Sequence, residues 1–268
     1  VTDRTHIPKR IVNKLQKSFR KIVVISDLQM PLENERANRN LINFIGDYQP
    51  DEVINIGDIT DYTAPSRWSL GTRAEFGMTA KDEAAYTRRK HVEPVRAVYD
   101  GLYTLLESNH GLRPQKHLME RAPSLGGDEY REENLLRLAD YGMRFTERYD
   151  FAPNWTALHG HQKGISLSRI AGGTAMNAAR RFQRNIIMGH THRAGIISES
   201  SGVEASRTLT GVEVGHLMDL RKAEYLGSAR LANWQSAFGV VYVDGSQVTP
   251  HLIPVSRTGS FTVEGERY

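Results

Sequence analysis

The sequence predicts an α/β fold. Three observations carry this prediction: short continuous apolar runs, amphipathic segments between them, and turn residues at the boundaries. The first run, Lys21–Ser26 (KIVVIS), suits a strand covered on both faces. Residues 35–48 then place Ala37, Leu41, Ile42 and Ile45 on one helical face, and Pro50 stops the segment. Glu52–Ile56 (EVINI) is a second strand ending at Gly57-Asp58. Strand, helix and strand at this spacing form a βαβ unit with a parallel pair.

The remaining elements follow in order. Residues 62–80 contain Pro65, Gly71 and Gly77 with no clean period, and predict an irregular insertion. Residues 81–100 predict a helix with a kink at Pro94. Leu102–Leu106 is a third strand. Residues 112–150 are polar and predict a second insertion, with short helices around Leu135–Leu138. Trp155–Leu158 and Asn185–Met188 are further strands, separated by a helix over Ser168–Arg184 despite Gly172-Gly173. Phe238–Val243 and Val248–Ile253 form a hairpin across Asp244-Gly245. The expected organisation is a basic arm, 1–20, and one domain, 21–268, carrying the two insertions.

Composition narrows the chemistry. The chain has 268 residues, of which 39% are hydrophobic and 25% charged, the balance of a globular protein. It has no cysteine, which excludes a disulfide scaffold, a thiolate zinc site and a cysteine nucleophile. No apolar run approaches the roughly 20 residues of a membrane span. No secretory signal is visible, and a cytoplasmic location is expected. The formal charge of +4 is concentrated at the start, where Arg4, Lys9, Arg10, Lys14, Lys17, Arg20 and Lys21 face one acid, Asp3. Ile11, Val12, Leu15 and Phe19 recur there at helical spacing. Such an arm either binds phosphates or an anionic surface, or packs its stripe against the body.

Five predicted strands end in polar residues of one chemical kind: Asp27 and Gln29; Asp58 and Asp61; Asn109 and His110; His159 and His161; His190 and His192. Any one is weak, because an Asp after a strand is often a helix cap and a lone His is often a core residue. Parallel strands, however, bring all five ends to one edge, where open α/β sheets bind ligands. His, Asp and Asn are also the donors left for a metal in a chain without cysteine.

Order and spacing resemble the calcineurin-like metallophosphoesterases, whose motifs run D-x-H, G-D-x-x-D, G-N-H-[DE], H-G and G-H-x-H. Here they read Asp27-Leu28-Gln29, Gly57-Asp58-Ile59-Thr60-Asp61, Ser108-Asn109-His110-Gly111, His159-Gly160 and Gly189-His190-Thr191-His192, over about residues 21–195. Gln29 replaces a histidine ligand, and Ser108 and Gly111 replace the usual glycine and acid.

The resemblance implies a four-layer αββα sandwich of two sheets flanked by helices, with the metal site at the carboxyl ends of strands. It implies two divalent cations, one held by Asp27, Gln29, Asp58 and His192, the other by Asp58, Asn109, His159 and His190, with Asp58 bridging. It assigns His110 to the leaving group and Asp61 to orienting a neighbour. Metal-activated hydroxide would attack phosphorus. His161 and Arg193 are the expected substrate contacts. Gln29, a harder and weaker ligand than imidazole, favours Mn²⁺, with Mg²⁺, Fe, Zn²⁺ or Ca²⁺ as alternatives.

The expected function is hydrolysis of phosphodiesters of a nucleic acid or nucleotide. The alternatives are a phosphomonoesterase, including a protein phosphatase, and a non-catalytic scaffold of the same fold. The diester reading rests on Trp68, Phe76, Arg67 and Arg73 in the first insertion, on the clusters Arg88-Arg89-Lys90 and Arg180-Arg181 with Arg184, and on the basic arm; the alternative is that the aromatics only pack their loop down and the clusters are solvated helix faces.

Overall fold

The structure, a computed structural model, describes residues 19–222 and 232–268. The proposed basic helix therefore lies outside the described residues, except for its end. Strand β1 (Phe19–Ile25) starts two residues earlier than expected and takes Phe19 out of the arm's stripe. Phe19 pairs across from Asp244 and stacks on Tyr242.

Helix α1 (Glu35–Tyr48) and strand β2 (Glu52–Asn55) complete the first βαβ unit. Asn34 caps α1 by accepting from the Ala37 N–H, and Gln49 ends it in the left-handed conformation just before Pro50. Next come α2 (Ala80–Thr87), α3 (Glu93–Val98) and β3 (Leu102–Leu106). The second insertion contributes α4 (Arg113–Arg121), α5 (Glu132–Leu135), β4 (Arg144–Thr146) and β5 (Arg148–Ala152). Then follow β6 (Trp155–Leu158), α6 (Gly173–Phe182), β7 (Asn185–Met188), β8 (Ala194–Ser201) and β9 (Arg207–Val214). The hairpin β10 (Ala237–Asp244) and β11 (Gln247–Pro254) precedes the small pair β12 (Thr262–Val263) and β13 (Glu266–Arg267).

The strands form one six-stranded sheet, order β11-β10-β1-β2-β3-β4, and one five-stranded sheet, order β5-β6-β7-β9-β8. Strands β1 to β4 run parallel in the first, and β6, β7 and β9 in the second. Alternation along β1 shows why its run is continuously apolar. Ile22 and Val24 face the second sheet's Trp155, Ala157, Ile187 and Val212. Val23 and Ile25 face outward with Leu41 and Ile45 of α1. On the far side, Leu158 and Ile186 pack with Ala175, Met176 and Ala179 of α6. Helices, sheet, sheet and helix make the expected four layers.

Three expectations need correction. Residues 112–150 are not only short helices: they contain β4 and β5. The helix expected from Ser168 begins at Gly173, after Gly172 in the left-handed conformation (φ 82). The kink at Pro94 is realised as a π turn over Arg88–Val92, between α2 and α3. Proline has no N–H to offer the Lys90 carbonyl four residues back, and Asn38 Nδ2 on α1 donates to that carbonyl instead, at 2.8 Å.

Asn38 also starts a buried polar chain. His91 Nδ1 lies 2.7 Å from Asn38 Oδ1, and His91 Nε2 lies 2.9 Å from the Tyr103 hydroxyl. Asn55 Nδ2 donates to that hydroxyl at 3.2 Å, and Asn55 Oδ1 accepts from the Gly57 N–H at 3.0 Å. The chain ties α1 and β3 to the turn carrying Asp58.

Burial pushes His91 down to about 4, so the folded protein keeps it neutral while the unfolded chain binds a proton near pH 6.5. Its contribution is complete above pH 6.5 and is lost as pH falls towards 4, up to about 3 kcal/mol. Urea unfolding at pH 7 and pH 5 should show this loss, and His91→Gln should make it smaller by His91's share while lowering stability at pH 7.

Candidate metal centre

The carboxyl ends of β1, β2, β3, β6 and β7 meet at one edge of the sandwich. Asp27, Gln29, Asp58, His190 and His192 all adopt positive φ, between 49° and 68°, a sparsely populated region for residues other than glycine. Such strain concentrates where a backbone must aim side chains at one point. Two motif glycines are required by close approach. A Cβ on Gly57 (φ 103) would come within 2.6 Å of Ser108 Cβ, and one on Gly189 would collide with Ser26 Oγ and come within 2.6 Å of Asp27 Oδ2.

Asp58, His159 and His190 each offer a donor atom, and these atoms lie within 4.8 Å of one another. Asp58 Oδ2 is 3.3 Å from His159 Nε2, and Asn109 Oδ1 is 2.9 Å from the same nitrogen. The Ile56 carbonyl contacts His159 Nδ1 at 2.8 Å and so fixes the ring from behind. A second group lies beside it. Asp27 Oδ1 faces His192 Nε2 at 3.1 Å, and Gln29 Nε2 faces the same ring nitrogen at 3.1 Å. Asp27 Oδ2 is held by Ser26 Oγ at 2.5 Å and by the His190 N–H at 3.0 Å. His192 Nδ1, on the far side of its ring, is buried with no hydrogen-bond partner.

Electrostatics match this arrangement. Burial pushes Asp58 up, but His110 and His159 outweigh it and hold the carboxyl well below its usual value. Asp27 is likewise pushed up by burial and brought below normal by His192. Burial lowers His159, yet Asp58 and Asp27 raise it to about 9. Burial and the neighbouring His159 push His190 and His161 down to about 4.

The other expected residues divide. His110 Nδ1 lies 3.0 Å from Asp61 Oδ1, and the His110 N–H donates to Asp58 Oδ1 at 3.1 Å. Thr63 Oγ1 and the Arg113 guanidinium fix Asp61 in turn. The His161 ring centre is 5.5 Å from that of His159. Arg193 Nη1 donates to the Ser168 carbonyl at 2.5 Å. Trp68 and Phe76 do not pack their loop down: they are 75% and 83% exposed, with Arg67 over the Trp68 ring.

Three contributors were not singled out from the sequence. Arg113 Nη2 is 2.8 Å from His110 Nε2. His216, after β9, is buried with its ring 5.5 Å from that of His192. Trp234 lies 4.1 Å from His192, centre to centre. The signal for His216 was present, because Val214-Gly215-His216 repeats the apolar-Gly-His order of Met188-Gly189-His190.

The departures around Asn109 have local explanations. Ser108 Oγ accepts from the Gly111 N–H at 3.1 Å and closes the turn. A Cβ at Gly111 would collide with the Glu132 carboxylate, which is buried and has both oxygens unpartnered. Thus α5 delivers a carboxylate into the space beside Gly111 that a side chain there would need. Burial and the Asp58 charge push Glu132 well above the usual carboxylate value.

Fold and site together define the class: the chain has the calcineurin-like metallophosphoesterase fold with a candidate His/Asp metal group. Vps29 of Chaetomium thermophilum superposes with a TM-score of 0.50 at 11% identity, over 92% of this chain and 96% of that one. Vacuolar Protein Sorting 29 of Cryptosporidium parvum gives 0.47 at 14% identity, over 93% and 98%. No protein-family model matches the sequence. The Gene 54 protein of Mycobacterium phage D29 is 42% identical over 250 residues, covering 92% of this chain and 97% of the relative. That of Mycobacterium phage L5 is 41% identical over the same shares. The chain belongs to the family of these mycobacteriophage Gene 54 proteins. Among the described residues no helix is long and apolar enough to cross a membrane.

The contact at Gly111 makes a direct test. Gly111→Asp should destabilise the fold by about 1–3 kcal/mol through overpacking against Glu132. Adding Glu132→Ala should return most of the loss in thermal unfolding, whereas additive losses would show that the two sites do not share one space.

Proposed function

We propose that the chain is a metal-dependent phosphoesterase that hydrolyses phosphodiester bonds of a nucleic acid or nucleotide. The observation that carries this reading is the convergence of two donor groups on either side of Asp58. Asp27, Gln29, Asp58 and His192 would hold one cation, and Asp58, Asn109, His159 and His190 the other. Asp58 offsets their mutual repulsion, and the neutral rings and amides avoid excess negative charge. Mn²⁺ suits the set best, because Gln29 offers an amide oxygen once its side chain turns over. When bound, the cations supply a water of lowered pKa and neutralise charge on the phosphoryl oxygens.

The chain's own residues supply the rest. His110 protonates or steadies the leaving oxygen, a step that matters most when the leaving alkoxide is poor. Asp61 holds its ring, and Arg113 places a guanidinium beside it. Arg193, which donates to the Ser168 carbonyl, and Arg113, which donates to the Asp61 carbonyl, are the two guanidinium groups proposed to meet phosphate oxygens. His161 borders the centre on the side of His159.

Bis-p-nitrophenyl phosphate and p-nitrophenyl phosphate, each assayed with Mn²⁺, test the reading. The diester should be the better substrate by kcat/KM. The reverse order would mark a monoesterase, and no turnover of either or of nucleic acids with any divalent metal would mark a scaffold. His110→Ala should cost about 10²–10⁴ in rate on a diester with a poor leaving group and far less on the nitrophenyl ester. Equal losses on both would remove His110 as the acid. Gln29→His should raise Zn²⁺ and Mn²⁺ affinity by roughly tenfold in calorimetric titration. An unchanged isotherm would show that Gln29 is not a ligand.

A further inference from the structure

A groove of about 620 Å³ lies beside the metal centre on the outer face of the second sheet. His161 stands at one end of it, and Arg184, just before β7, at the other. Helix α6 packs over β7 and β9, and the outward side chains of β6, Thr156 and Leu158, line the groove with Ile186 of β7. Four strand residues separate the ends, roughly 13 Å at about 3.3 Å per residue.

The lining is chemically one-sided. Lys116, Arg148, Lys163 and Arg184 face Glu147 and Asp150. Asp150 is already engaged by Thr156 Oγ1 at 2.6 Å and by Arg184 Nη1 at 3.2 Å. Arg184 Nε, Gln162 Nε2 and His161 Nδ1 are buried and have no hydrogen-bond partner. The ring of Phe182 is 39% exposed at the rim. Cationic side chains and an accessible aromatic face together form the pattern of a single-strand track: charge follows the backbone, and a ring accepts a base. A stacked strand carries about one charge per 3.4 Å, so a groove of this length holds several phosphates.

We infer that this groove holds the flanking nucleotides of a single-stranded nucleic acid whose scissile phosphate lies at the metal centre. The strand passes His161 as it leaves the centre and runs towards Arg184. This inference rests on the phosphodiesterase reading and names its substrate class. It also gives the second insertion a role, since Lys116 and Arg148 both come from it.

The test compares the full chain with Lys116→Ala/Arg148→Ala/Lys163→Ala, in which the basic arm is retained. Binding of a fluorescent single-stranded 12-mer, followed by anisotropy in EDTA, should weaken at least tenfold. The slope of log affinity against log salt should shrink by about two, near 0.7 for each lost phosphate contact. With Mn²⁺, the ratio of kcat/KM on the oligonucleotide to kcat/KM on bis-p-nitrophenyl phosphate should fall at least tenfold.

Unchanged binding and an unchanged ratio would overturn the groove while leaving the phosphodiesterase reading intact. Equal loss of duplex and single-strand binding would overturn the single-strand assignment. If the wild type hydrolyses neither substrate, the catalytic reading fails, while the anisotropy result still decides whether the groove binds a strand.

Discussion

Two carboxylates buried side by side constrain everything around them. Asp27 and Asp58 are 0% and 1% exposed, and each raises the proton affinity of the other. Buried charge of one sign is costly unless it is paired or coordinates a cation. Among the described residues the groups that lower both are imidazoles, supplied by three different strand ends. Asp58 and Asp27 raise His159 against the effect of its burial, the reciprocal of the pull that the ring exerts on Asp58. The cluster is thus built around a demand for positive charge, met on the Asp27 side by the His192 ring at 3.1 Å.

Meeting that demand at one point requires the architecture found here. Each sheet contributes parallel strands, so their carboxyl ends fall on one edge, and stacking the sheets doubles the number of ends available. The ends are then turned inward by residues with left-handed backbone, a conformation that needs support. For Asp58, support comes from behind, through the chain from Asn38 to Gly57. The proline that breaks the helical ladder leaves the carbonyl that Asn38 satisfies. An irregular helix and a strained turn are therefore two ends of one polar connection.

What the sequence made legible follows from the same physics. Strands buried on both faces read clearly, because β3, β6 and β7 are continuous apolar runs bounded by turn residues. Strands β8 and β9 escaped, because β8 is half-exposed and its residues, such as Ser198, Glu199 and Ser200, do not look like a sheet. Missing β9 meant missing His216, although Val214-Gly215-His216 repeats the apolar-Gly-His order of Met188-Gly189-His190. The approach of Asp58, His159 and His190 to one another was readable from motif order. Side chains whose place depends on tertiary approach were not: Arg113 meets His110 only because α4 begins where it does, and Arg193 is drawn to Ser168.

Gly111 and Glu132 show why one motif position departs from the family pattern. A carboxylate from α5 fills the volume that a side chain on the residue after Asn109-His110 would need, so glycine is the residue that fits there. The segment that brings Glu132 behind His110 also brings Lys116 and Arg148 to the groove beside His161. One insertion therefore touches both the loop that carries the proposed acid and the surface proposed to hold the strand.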